Sequence, residues 1–384
     1  MKIIYFTTAQ NEVDYRSFIK NWKIALNPSN QNFHNKMIRA LAIDNQVDVI
    51  SIRPFSHSLM KIKKLPREEK TKDNITWHYL KRCGLKLRNM LQLVPEAKKA
   101  FKNIDTKDAI IITDTINQSV VHTLEKINKK YKLPVIGVCT DSPSNISGTK
   151  KSFTKYLLSH CSNYSGYIAL TKALNKIYNP SSKPSYILEG IVEENEGSSL
   201  EENAKKYFFF GGALMPKYGV FNLIKAFKNL KDEKVDLLIC GHHGDKNQIR
   251  AEIGKNQNIK FLGLLPVNKV LEYERKSLAM INPRPFSEDL DRFSIPSKTL
   301  EYMSAGRPVI SVKNTILKEK FPNEIIWVDS YEVHDLEAGL KQVLAMSEKE
   351  RTKLGNDAKN RVLTLYSLKS VSTNINYFLK QFFS

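Results

Sequence analysis

Residues 294–310 read Ser-Ile-Pro-Ser-Lys-Thr-Leu-Glu-Tyr-Met-Ser-Ala-Gly-Arg-Pro-Val-Ile, and this run predicts a loop, a short helix, a glycine stop and a buried strand. Pro296 fits the start of a helix, because the amide proton that proline lacks would have no intrahelical acceptor there. We expect Ser294 or Ser297 to cap that start. Gly306 is typical of a helix end. The run therefore predicts a helix that leads into a core strand.

Two charged residues share one face of this predicted helix. Lys298 places a cation in the first turn, and Glu301 follows three residues later, so the two side chains are neighbours. A helix start offers free N–H groups and the positive end of a dipole, which suit a phosphate. An anion between the dipole and Lys298 would remove their conflict. We interpret this face as a site for a diphosphate and a ribose; an ordinary surface helix with a Lys–Glu pair is the alternative.

Length and composition narrow the class of protein. A chain of 384 residues with 41% hydrophobic residues is long for one core and predicts two folded domains. No run approaches the ~20 apolar residues that a membrane span needs, and the N-terminus lacks a signal-peptide pattern. The four cysteines form no close pair, which favours free thiols in a reducing cytoplasm over disulfides or a metal knuckle.

The formal net charge of +21 calls for an explanation, and part of the excess lies within residues 61–102. Leucine, methionine and valine are interleaved with the basic residues of its second half, a pattern typical of a segment that rests on anionic lipid. A solvated, lysine-rich face is the alternative. Nucleic acid is disfavoured, because the chain has no zinc knuckle, RNP-type strand or evident recognition helix.

Apolar strand patterns alternate with helical patterns along the first half, which predicts an α/β doubly wound layer. The predicted strands are 2–7, 47–52, 74–80, 109–113, 134–139 and 166–170. The predicted helices are 33–43, after a polar loop at 27–30, then the basic helix before residue 102, and 117–131.

The pattern restarts after an acidic, polar stretch at 193–199, which is typical of a linker. Ser347 and Glu350 form a predicted capping box. A last amphipathic helix is predicted over 368–383. The predicted strands of this half are 207–210, 235–240, 259–262 and 278–281, so the second half is a second α/β sandwich.

Two glycine positions follow strands in this half. Gly211 and Gly212 allow close approach of the backbone to a ligand, and Lys217 belongs to the same predicted loop. Gly241 and His242 follow the next strand and predict a ligand-facing polar loop. Tight turns are the alternative for both. The adjacent histidines at 242–243 do not suit zinc, because neighbours on an extended segment point apart and no other ligand has zinc spacing.

An acidic run at 288–291 follows Arg284 and contains an Asp-x-Asp pattern that can hold a divalent cation against a diphosphate. Because the predicted helix site lies directly after it, we favour a solvent-facing acidic loop and expect no metal and no cofactor. The sequence also lacks a G-x-S-x-G elbow, a Walker loop and an H-E-x-x-H motif.

Residues 296–310 resemble the donor-binding motif of group 1 (family 4) glycosyltransferases, which have the GT-B fold. The resemblance is specific over about 205–365 and loose in the first half, where 140–143 are suggestive. It implies an α/β protein of two Rossmann-like domains that face each other across a cleft. The implied parts are an acceptor-side domain (1–190), a nucleotide-sugar domain (205–365) and a crossover helix that packs on the first domain (366–384).

The resemblance also implies roles for residues. Glu301 would bind the ribose, Ser297 and Lys298 the diphosphate, and Lys217 would approximate a basic loop residue. The implied catalytic residues are Lys298, Glu301 and Lys217. The implied donor-binding residues are Gly211, Gly212, Gly241, His242, Arg284, Ser297, Lys298, Thr299 and Glu301. The acceptor-side candidates, chosen for their loop and strand-end positions, are Asn32, His34 and Asp141.

The chain departs from the pattern at two positions. Ala213 stands where the family usually has arginine, and Phe293 stands where it has the first glutamate, which faces the donor sugar. A carboxylate from 288–291 is a substitute, or the sugar is held differently. We expect a cytoplasmic, peripheral-membrane enzyme that transfers a sugar from a nucleotide donor, UDP-linked, to a lipid-linked glycan or a cell-surface polymer precursor, with the retention that the resemblance implies. A catalytically silent partner subunit and a sugar-nucleotide epimerase are the alternatives.

Overall fold

The computed structural model describes residues 1–22, 27–55, 64–83, 86–144, 151–196, 206–231, 234–242, 244–287 and 291–383, and side chains from 91 onward in the helix that begins at Lys86. The chain divides into two compact units. Unit 1 comprises Met1–Ile191, Arg292–Ser294 and Leu368–Ser384. Unit 2 comprises Val192–Asp291 and Ile295–Ser367.

The described part of unit 1 contains an eight-stranded sheet of order β10-β9-β8-β7-β1-β2-β5-β4 and a small ladder of β3 with β6. The strands are β1 (Lys2–Thr7), β2 (Gln46–Ser51), β3 (Lys64–Leu65), β4 (Glu68–Lys72), β5 (Ile75–Tyr79), β6 (Arg82–Cys83), β7 (Ala109–Asp114), β8 (Val135–Cys139), β9 (Gly166–Ala169) and β10 (Ser185–Ile187). The strands of the large sheet pair in parallel except β4, which is antiparallel to β5.

Helices cover the faces of this sheet. They are α1 (Glu12–Trp22), α2 (Pro28–Leu41), α3 (Lys86–Phe101), α4 (Gln118–Tyr131), α5 (Lys151–Cys161) and α6 (Lys172–Tyr178). Strand β7 is buried along its whole length, as a parallel strand with both faces covered should be. Val120, Leu124 and Ile127 on α4 have the spacing of one helix face and are buried in the same core. The mixed α/β class that the alternation predicted is confirmed.

One local prediction in unit 1 was wrong, and one hairpin was not predicted. The polar stretch at 27–30 is not a loop throughout, because α2 begins at Pro28, where proline loses no hydrogen bond. The antiparallel hairpin of β4 with β5 was not predicted, since Glu68, Lys70 and Lys72 in β4 resemble a solvated charge run rather than a strand.

Unit 2 contains a six-stranded parallel sheet of order β13-β12-β11-β14-β15-β16 within its described residues. The strands are β11 (Lys206–Ala213), β12 (Val235–His242), β13 (Ile259–Gly263), β14 (Ala279–Asn282), β15 (Val309–Val312) and β16 (Ile326–Val328). The helices are α7 (Val220–Leu230), α8 (Lys246–Ile253), α9 (Val267–Arg275), α10 (Ser297–Met303), α11 (Thr315–Lys320), α12 (Val333–Ala345) and α13 (Glu348–Tyr366). The predicted capping box of α13 is confirmed, with Ser347 and Glu350 bonded reciprocally.

Strand order positions a site in each unit. The chain runs outward from β11 through β12 to β13 and then crosses to β14 on the other side, so the order reverses between β11 and β14. In unit 1 the same reversal lies between β1 and β7. Ligands of open α/β sheets bind outside the carboxyl ends of the strands at this reversal. Each unit therefore has one sheet edge where a ligand site is expected.

The last helix, α14 (Leu368–Lys380), packs on α2 and is part of unit 1. Val371, Ile375 and Leu379 fall on one face and are fully buried. Ser372 Oγ donates to the Asp44 carboxylate at 2.7 Å, which fixes the register of the helix. None of the described helices of either unit is long and apolar enough to cross a membrane.

Candidate active site

Helix α10 and the ends of its neighbouring strands form the candidate site of unit 2. The helix starts at Ser297 with Pro296 as its N-cap, so Ser297 is the first helical residue and not the cap. Proline can hold this position because it presets the backbone angle φ and needs no partner for an N–H group. The helix ends at Met303 with Ser304 as its C-cap, so Gly306, which was predicted to end it, lies instead in the turn that follows, with a φ of 71°.

Tyr302 fastens α10 to strand β11. Its hydroxyl accepts from the Gly211 N–H at 2.9 Å and donates to the Gly211 carbonyl at 3.0 Å. The ring is fully buried, and both backbone groups are satisfied by one side chain. This pair of bonds places the last turn of α10 against the carboxyl end of β11, at the reversal of strand order.

Lys298 and Glu301 lie together on the half-exposed face of α10. The Lys298 Nζ is 3.4 Å from a Glu301 carboxylate oxygen and 5.5 Å from the centre of the Tyr302 ring. Burial acts to lower the pKa of the Lys298 ammonium, but Glu301, Tyr302 and Glu274 together outweigh it, and the net pKa is raised. Lys298 therefore remains a cation at neutral pH, available to an anion at this sheet edge.

A second carboxylate, Glu274 of α9, faces Lys298 from the protein interior. Its side chain is 2% exposed, and Asn195 Nδ2 donates to its Oε2 at 3.4 Å. Burial raises the pKa of Glu274 to about 7, and the Lys298 charge opposes this rise. The thiol of Cys240 near the end of β12 also feels the Lys298 charge, although burial raises the pKa of that thiol to about 11. The Lys298 ammonium thus lies close to the end of β12.

Gly211, Gly212 and Gly241 belong to strands rather than to the loops that were expected. Gly211 pairs with Cys240 and Gly212 pairs with Gly241 at the carboxyl ends of β11 and β12. Gly241 has a φ of 153°, and a Cβ there would lie 1.8 Å from the Gly212 carbonyl oxygen, so no side chain fits. The absence of side chains leaves backbone at this edge, as close approach of a ligand requires.

Thr299 is occupied within the protein. It is fully buried, and its hydroxyl accepts from Asn282 Nδ2 at 2.8 Å and lies 3.4 Å from the Ser311 hydroxyl. These bonds join α10 to the ends of β14 and β15. Thr299 therefore helps to position the preceding residue, Lys298. Its own hydroxyl is already hydrogen-bonded within the protein.

Arg284 and Asp291 hold the loop before α10. Arg284 Nη2 is 3.0 Å from Asp291 Oδ1, and the Ser287 N–H donates to Asp291 Oδ2 at 2.7 Å. Both oxygens of the buried Asp291 carboxylate are used, so it is unsuited to replace the carboxylate missing at Phe293. The candidates at 288 and 289 lie outside the described residues. Among the described residues, no group of three metal-ligating side chains comes together.

The remaining donor-side candidates are exposed. Lys217 lies in a short 3₁₀ turn, Pro216–Tyr218, with its Nζ 5.3 Å from the centre of the Tyr218 ring. Ser297 and His242 are exposed at the start of α10 and the end of β12. The carbonyl of His242 accepts from the Leu214 N–H at 2.9 Å. Lys217, His242 and Ser297 follow or lie next to the carboxyl ends of β11 and β12.

Phe293 is part of unit 1. Its ring packs against the hydrophobic core of that unit, with the Arg292 guanidinium 4.5 Å above it. The Arg292 carbonyl accepts from the Thr171 hydroxyl at 2.7 Å. The residue at the position of the family's first glutamate therefore contributes to packing, whereas the shorter Ala213 ends β11.

Unit 1 has a buried polar cluster at its own reversal of strand order. His34 of α2 is fully buried, with Nδ1 2.7 Å from the Tyr5 hydroxyl and Nε2 3.8 Å from Asp114 Oδ2. Burial lowers the pKa of His34 against the opposing Asp114 charge, so the imidazole is neutral at pH 7. Asn30 Nδ2 donates to Asp114 Oδ2 at 3.2 Å. Asn30 is half-buried and Asp114 fully buried.

The three acceptor-side candidates are not equivalent. Asn32 is exposed on α2, His34 lies in the core, and Asp141 is half-buried after β8. Burial raises the pKa of the Asp141 carboxyl, which accepts from the Ser142 N–H at 2.7 Å. The structure brings His34 near Asp114 and joins neither Asn32 nor Asp141 to that pair. A fully buried His34 has no surface with which to touch an acceptor.

Four residues of these two sites were missed from the sequence: Glu274, Asn282, Tyr302 and Asp114. A charged residue on a helix ordinarily predicts exposure, so nothing marked Glu274. Asp114 had a signal, since it is a carboxylate directly after four buried apolar residues and one threonine, at a strand end.

Comparison with known proteins agrees with this geometry. Residues 192–361 match the family described as glycosyl transferases group 1. None of the curated proteins matches the chain.

Several solved structures share the fold over the whole chain. Sucrose-phosphate synthase from Thermosynechococcus elongatus has a TM-score of 0.70 at 12% identity, covering 100% of this chain and 99% of that one. Anabaena HepE in complex with UDP and glucose has a TM-score of 0.64 at 12% identity, with 99% of each chain covered. A trehalose-6-phosphate synthase studied for glycosyl transfer with retention has a TM-score of 0.66 at 12% identity, with 99% of each chain covered. The chain has the GT-B fold.

Proposed function

We propose, from the premise that the chain is a glycosyltransferase whose residues 192–361 belong to the group 1 family, that unit 2 binds a nucleoside-diphosphate sugar. The observation that carries the proposal is the Lys298 ammonium, kept charged beside Glu301 at the carboxyl ends of β11 and β12. In this proposal residues 205–365 form the donor domain, 1–190 the acceptor domain, and 366–384 return to the acceptor domain.

The donor is proposed to be UDP-linked. Anabaena HepE, which shares the fold, is described in complex with UDP and glucose, and the carboxyl edge of unit 2 offers a glycine-rich strand end, a cation and a carboxylate. Glu301 is proposed to accept hydrogen bonds from the ribose hydroxyls. Lys298 and Ser297 are proposed to bind the diphosphate.

The proposed step forms a bond from an acceptor hydroxyl oxygen to the anomeric carbon and breaks the bond from that carbon to the diphosphate oxygen. The hydroxyl proton leaves with the departing diphosphate or to water. Negative charge grows on the diphosphate during the step, so Lys298 stabilises the transition state more than the bound donor. Retention is proposed from the family resemblance, and a trehalose-6-phosphate synthase of the same fold is described as a retaining enzyme.

The acceptor is proposed to bind at the carboxyl edge of unit 1, a lipid-linked glycan or cell-surface polymer precursor being the proposed class. Asn30 and Asp141 offer half-buried polar groups there, and Asp114 holds Asn30. His34 is proposed to orient Asp114 from behind rather than to act as a base, because its imidazole is enclosed. Asn32, exposed on the same helix, is proposed to contact the outer part of a large acceptor.

A donor screen tests the proposal. The protein is incubated with UDP-, GDP- and ADP-linked hexoses, and nucleotide release is measured with and without added glycans. Release from one UDP-sugar, faster with an acceptor, supports it. Interconversion of sugars without an acceptor would indicate an epimerase. The anomeric proton coupling of the product, measured by NMR, distinguishes retention from inversion.

A silent partner subunit is the second candidate, and the packing of Phe293 against the core of unit 1 favours it, because phenylalanine stands where the family has the carboxylate that faces the donor sugar. The two functions differ in one measurement. UDP binding by calorimetry without nucleotide-sugar turnover indicates the silent subunit, whereas turnover excludes it.

A peripheral association with anionic lipid is proposed for the exposed lysines of α3, α4 and the turns that follow them. The two helices pack together. Leu93 and Ala97 of α3 are buried in the core and cannot insert into lipid, so the contact with the membrane would be electrostatic. The exposed lysines are Lys98, Lys99, Lys102, Lys126, Lys129, Lys130 and Lys132. The cysteines, all in described positions, are free thiols, which fits the proposed cytoplasmic side.

Flotation with vesicles tests this surface. Vesicles containing anionic lipid are expected to carry the protein at low salt and to release it near 1 M salt, where the screening length falls to about 3 Å. Neutral vesicles serve as the control. The double variant Lys129→Glu, Lys130→Glu should weaken binding without changing nucleotide release. Binding that depends on neither lipid charge nor salt would contradict the proposal and indicate that these lysines form an ordinary solvated face.

A further inference from the structure

Arg82 of β6 is a buried cation for which the described residues offer no counter-ion. The residue is 8% exposed, and its Nε has no hydrogen-bond partner. Burial, opposed by Cys83 and assisted by the Arg53 charge, lowers the pKa of Arg82 to about 10, so the guanidinium stays charged at neutral pH. Charged side chains are almost never fully buried unless they are paired, and an unpaired buried charge is costly. This environment suits a bound anion.

Two acidic residues of this region, Glu68 and Asp14, already have partners. Glu68 Oε1 accepts from Arg53 Nη1 at 2.8 Å, and Asp14 Oδ1 accepts from Lys70 Nζ at 2.6 Å. Lys70 Nζ is also 3.3 Å from Glu68 Oε2. The two carboxylates thus balance the two cations Arg53 and Lys70, and this network leaves no negative charge for Arg82.

The contacts of Arg53 place it beside Arg82. Arg82 pairs with Leu65 in the ladder of β3 with β6, and Arg53 Nη2 donates to the carbonyl of the next residue, Pro66. The Arg53 guanidinium also lies 4.9 Å from the centre of the Tyr79 ring, three residues before Arg82. Arg53 Nε is buried and has no hydrogen-bond partner. Two neighbouring guanidinium groups therefore each keep an unused N–H group.

This arginine pair follows the carboxyl ends of two neighbouring strands. Strands β2 and β5 pair in parallel and end in register, and Arg53 and Arg82 come two and three residues after those ends. Ligands of open α/β sheets bind at that edge, and β2 adjoins β1 at the reversal of strand order. Leu65, opposite Arg82, packs with Phe18 of α1 in a small apolar cluster. An ion pair formed here would be weakly screened by water.

We propose that Arg82 and Arg53 form a binding site for a phosphate ester at the carboxyl edge of unit 1. A phosphate ester has several terminal oxygens and can accept from both guanidinium groups at once, and arginine matches it in bidentate geometry. That the phosphate belongs to the acceptor rests on the proposed function. Its source is then either a sugar phosphate or the phosphate that joins a glycan to a lipid. The binding of a phosphate at Arg82 does not depend on the donor site.

Calorimetric titration of the full chain with glucose 6-phosphate tests the soluble source. Arg82→Met keeps the aliphatic length and removes the charge, so it should bind this probe at least about 10-fold more weakly than the wild type. The matched control is Arg16→Gln, which changes an exposed arginine of unit 1 that pairs with Glu12, and its affinity should equal that of the wild type. Glucuronate presents a carboxylate, and tighter binding of glucuronate than of glucose 6-phosphate would overturn the assignment to phosphate.

Flotation with vesicles tests the lipid source. The wild type is expected to bind vesicles containing phosphatidic acid more than vesicles containing oleate at the same surface charge, if the phosphate is carried by a lipid. Arg82→Met should then lose this difference. Equal behaviour of the wild type and Arg82→Met toward both phosphate probes, or no binding of either probe by the wild type, would overturn the inference.

Measurements of stability separate binding from packing. Without a phosphate ligand, Arg82→Met should have a Tm equal to or above that of the wild type, because it removes an unpaired buried charge. A lower Tm with unchanged affinity for the probes would indicate a packing role and overturn the inference. Arg82→Lys keeps the cation and should retain part of the binding, so the site can be tested even where Arg82→Met does not fold.

The outcomes for this site and for the proposed function are independent. Phosphate binding that requires Arg82, in a protein that does not turn over nucleotide sugars, would keep the site and overturn the proposed function. Turnover of a nucleotide sugar by a protein whose affinity for phosphate is the same with and without Arg82 would keep the proposed function and overturn the site.

Discussion

At the scale of single residues, Lys298 carries the proposed chemistry. Its pKa is raised by Glu301, Tyr302 and Glu274 against the effect of burial, so it is a fixed cation where charge would grow on a leaving diphosphate. We expect Lys298→Ala to lower kcat/KM by about 100-fold, as the loss of one charge-stabilising group does. Steady-state nucleotide release measures this ratio.

The control for Lys298 is Lys269→Ala, which removes an exposed lysine of unit 2 that pairs with Glu272. Its kcat/KM should equal that of the wild type. A Lys298→Ala enzyme with unchanged kcat/KM would remove Lys298 from the mechanism, and equal losses in both variants would point to a general effect of charge.

The second residue-scale prediction concerns stability and pH. Burial holds the pKa of Glu274 at about 7 in the folded state, above the usual carboxyl value of ~4.3 in the unfolded chain. Between these values the folded state binds more protons, so wild-type stability falls as pH rises through the window. Glu274→Gln lacks this loss. Its gain over the wild type should be near zero at pH 4 and reach up to about 3 kcal/mol by pH 8.5.

Chemical denaturation at pH 4, 6 and 8.5 measures this difference for the transition of unit 2. Glu272→Gln at the surface should show no such growth with pH. A Glu274→Gln variant that is equally less stable than the wild type at all three values would contradict the raised pKa.

At the scale of elements, the position of α10 depends on one side chain. Tyr302→Phe keeps the buried ring but leaves the N–H and the carbonyl of Gly211 without their partner. An unsatisfied buried polar group costs about 1–3 kcal/mol, so we expect a lower Tm and weaker UDP binding together. Thermal unfolding with and without UDP measures both.

Tyr377→Phe is the matched control for Tyr302→Phe, because Tyr377 is 83% exposed on α14 and should tolerate the same change. Unchanged Tm and UDP affinity in Tyr302→Phe would mean that other contacts suffice to hold α10 against β11.

Elements were predictable where one physical rule dominated. The alternation of buried strands and amphipathic helices predicted both sheets, and Gly306 marked the turn that follows α10. The hairpin of β4 with β5 was not predictable, because the charged residues of β4 are typical of an exposed loop. Only the pairing with β5 shows that they form a strand. The glycines at 211, 212 and 241 were correctly associated with strand ends, but their pairing inside the sheet depends on register between distant strands.

The candidate site was only partly predictable from the sequence, because part of it also depends on contacts between distant segments. Lys298 and Glu301 share a helix face by spacing, so local rules place them together. Glu274 lies 24 residues before Lys298 in the sequence, and its burial follows from the packing of α9 on the sheet, which no local pattern encodes. Thr299 is polar and lies inside the motif, yet its hydroxyl accepts a hydrogen bond from the Asn282 side chain. Sequence spacing does not show this bond.

At the scale of the whole molecule, unit 1 is built from distant parts of the chain. Its last helix, α14, buries Val371, Ile375 and Leu379 against α2. Removal of residues 368–384 should destabilise unit 1 by several kcal/mol, because each buried aliphatic side chain contributes about 1.5–3 kcal/mol, and should leave the core of unit 2 unchanged. Hydrogen exchange monitored by mass spectrometry separates the two effects.

Removal of residues 383–384 alone, beyond the end of α14, is the control and should leave protection in both units at wild-type levels. Loss of protection in unit 2 to the same extent as in unit 1 after the longer truncation would show that the units unfold as one.

Residues 292–294 belong to unit 1, although the chain on either side of them belongs to unit 2, and α10 starts three residues after Ser294. Anyone who excises unit 2 as residues 192–367 will carry Phe293 away from the side chains that cover it. Such a fragment would present an uncovered aromatic ring a few residues before α10. Its tendency to self-associate would then report on the cut and not on the native protein, and replacing Phe293 with a polar residue would be the first remedy.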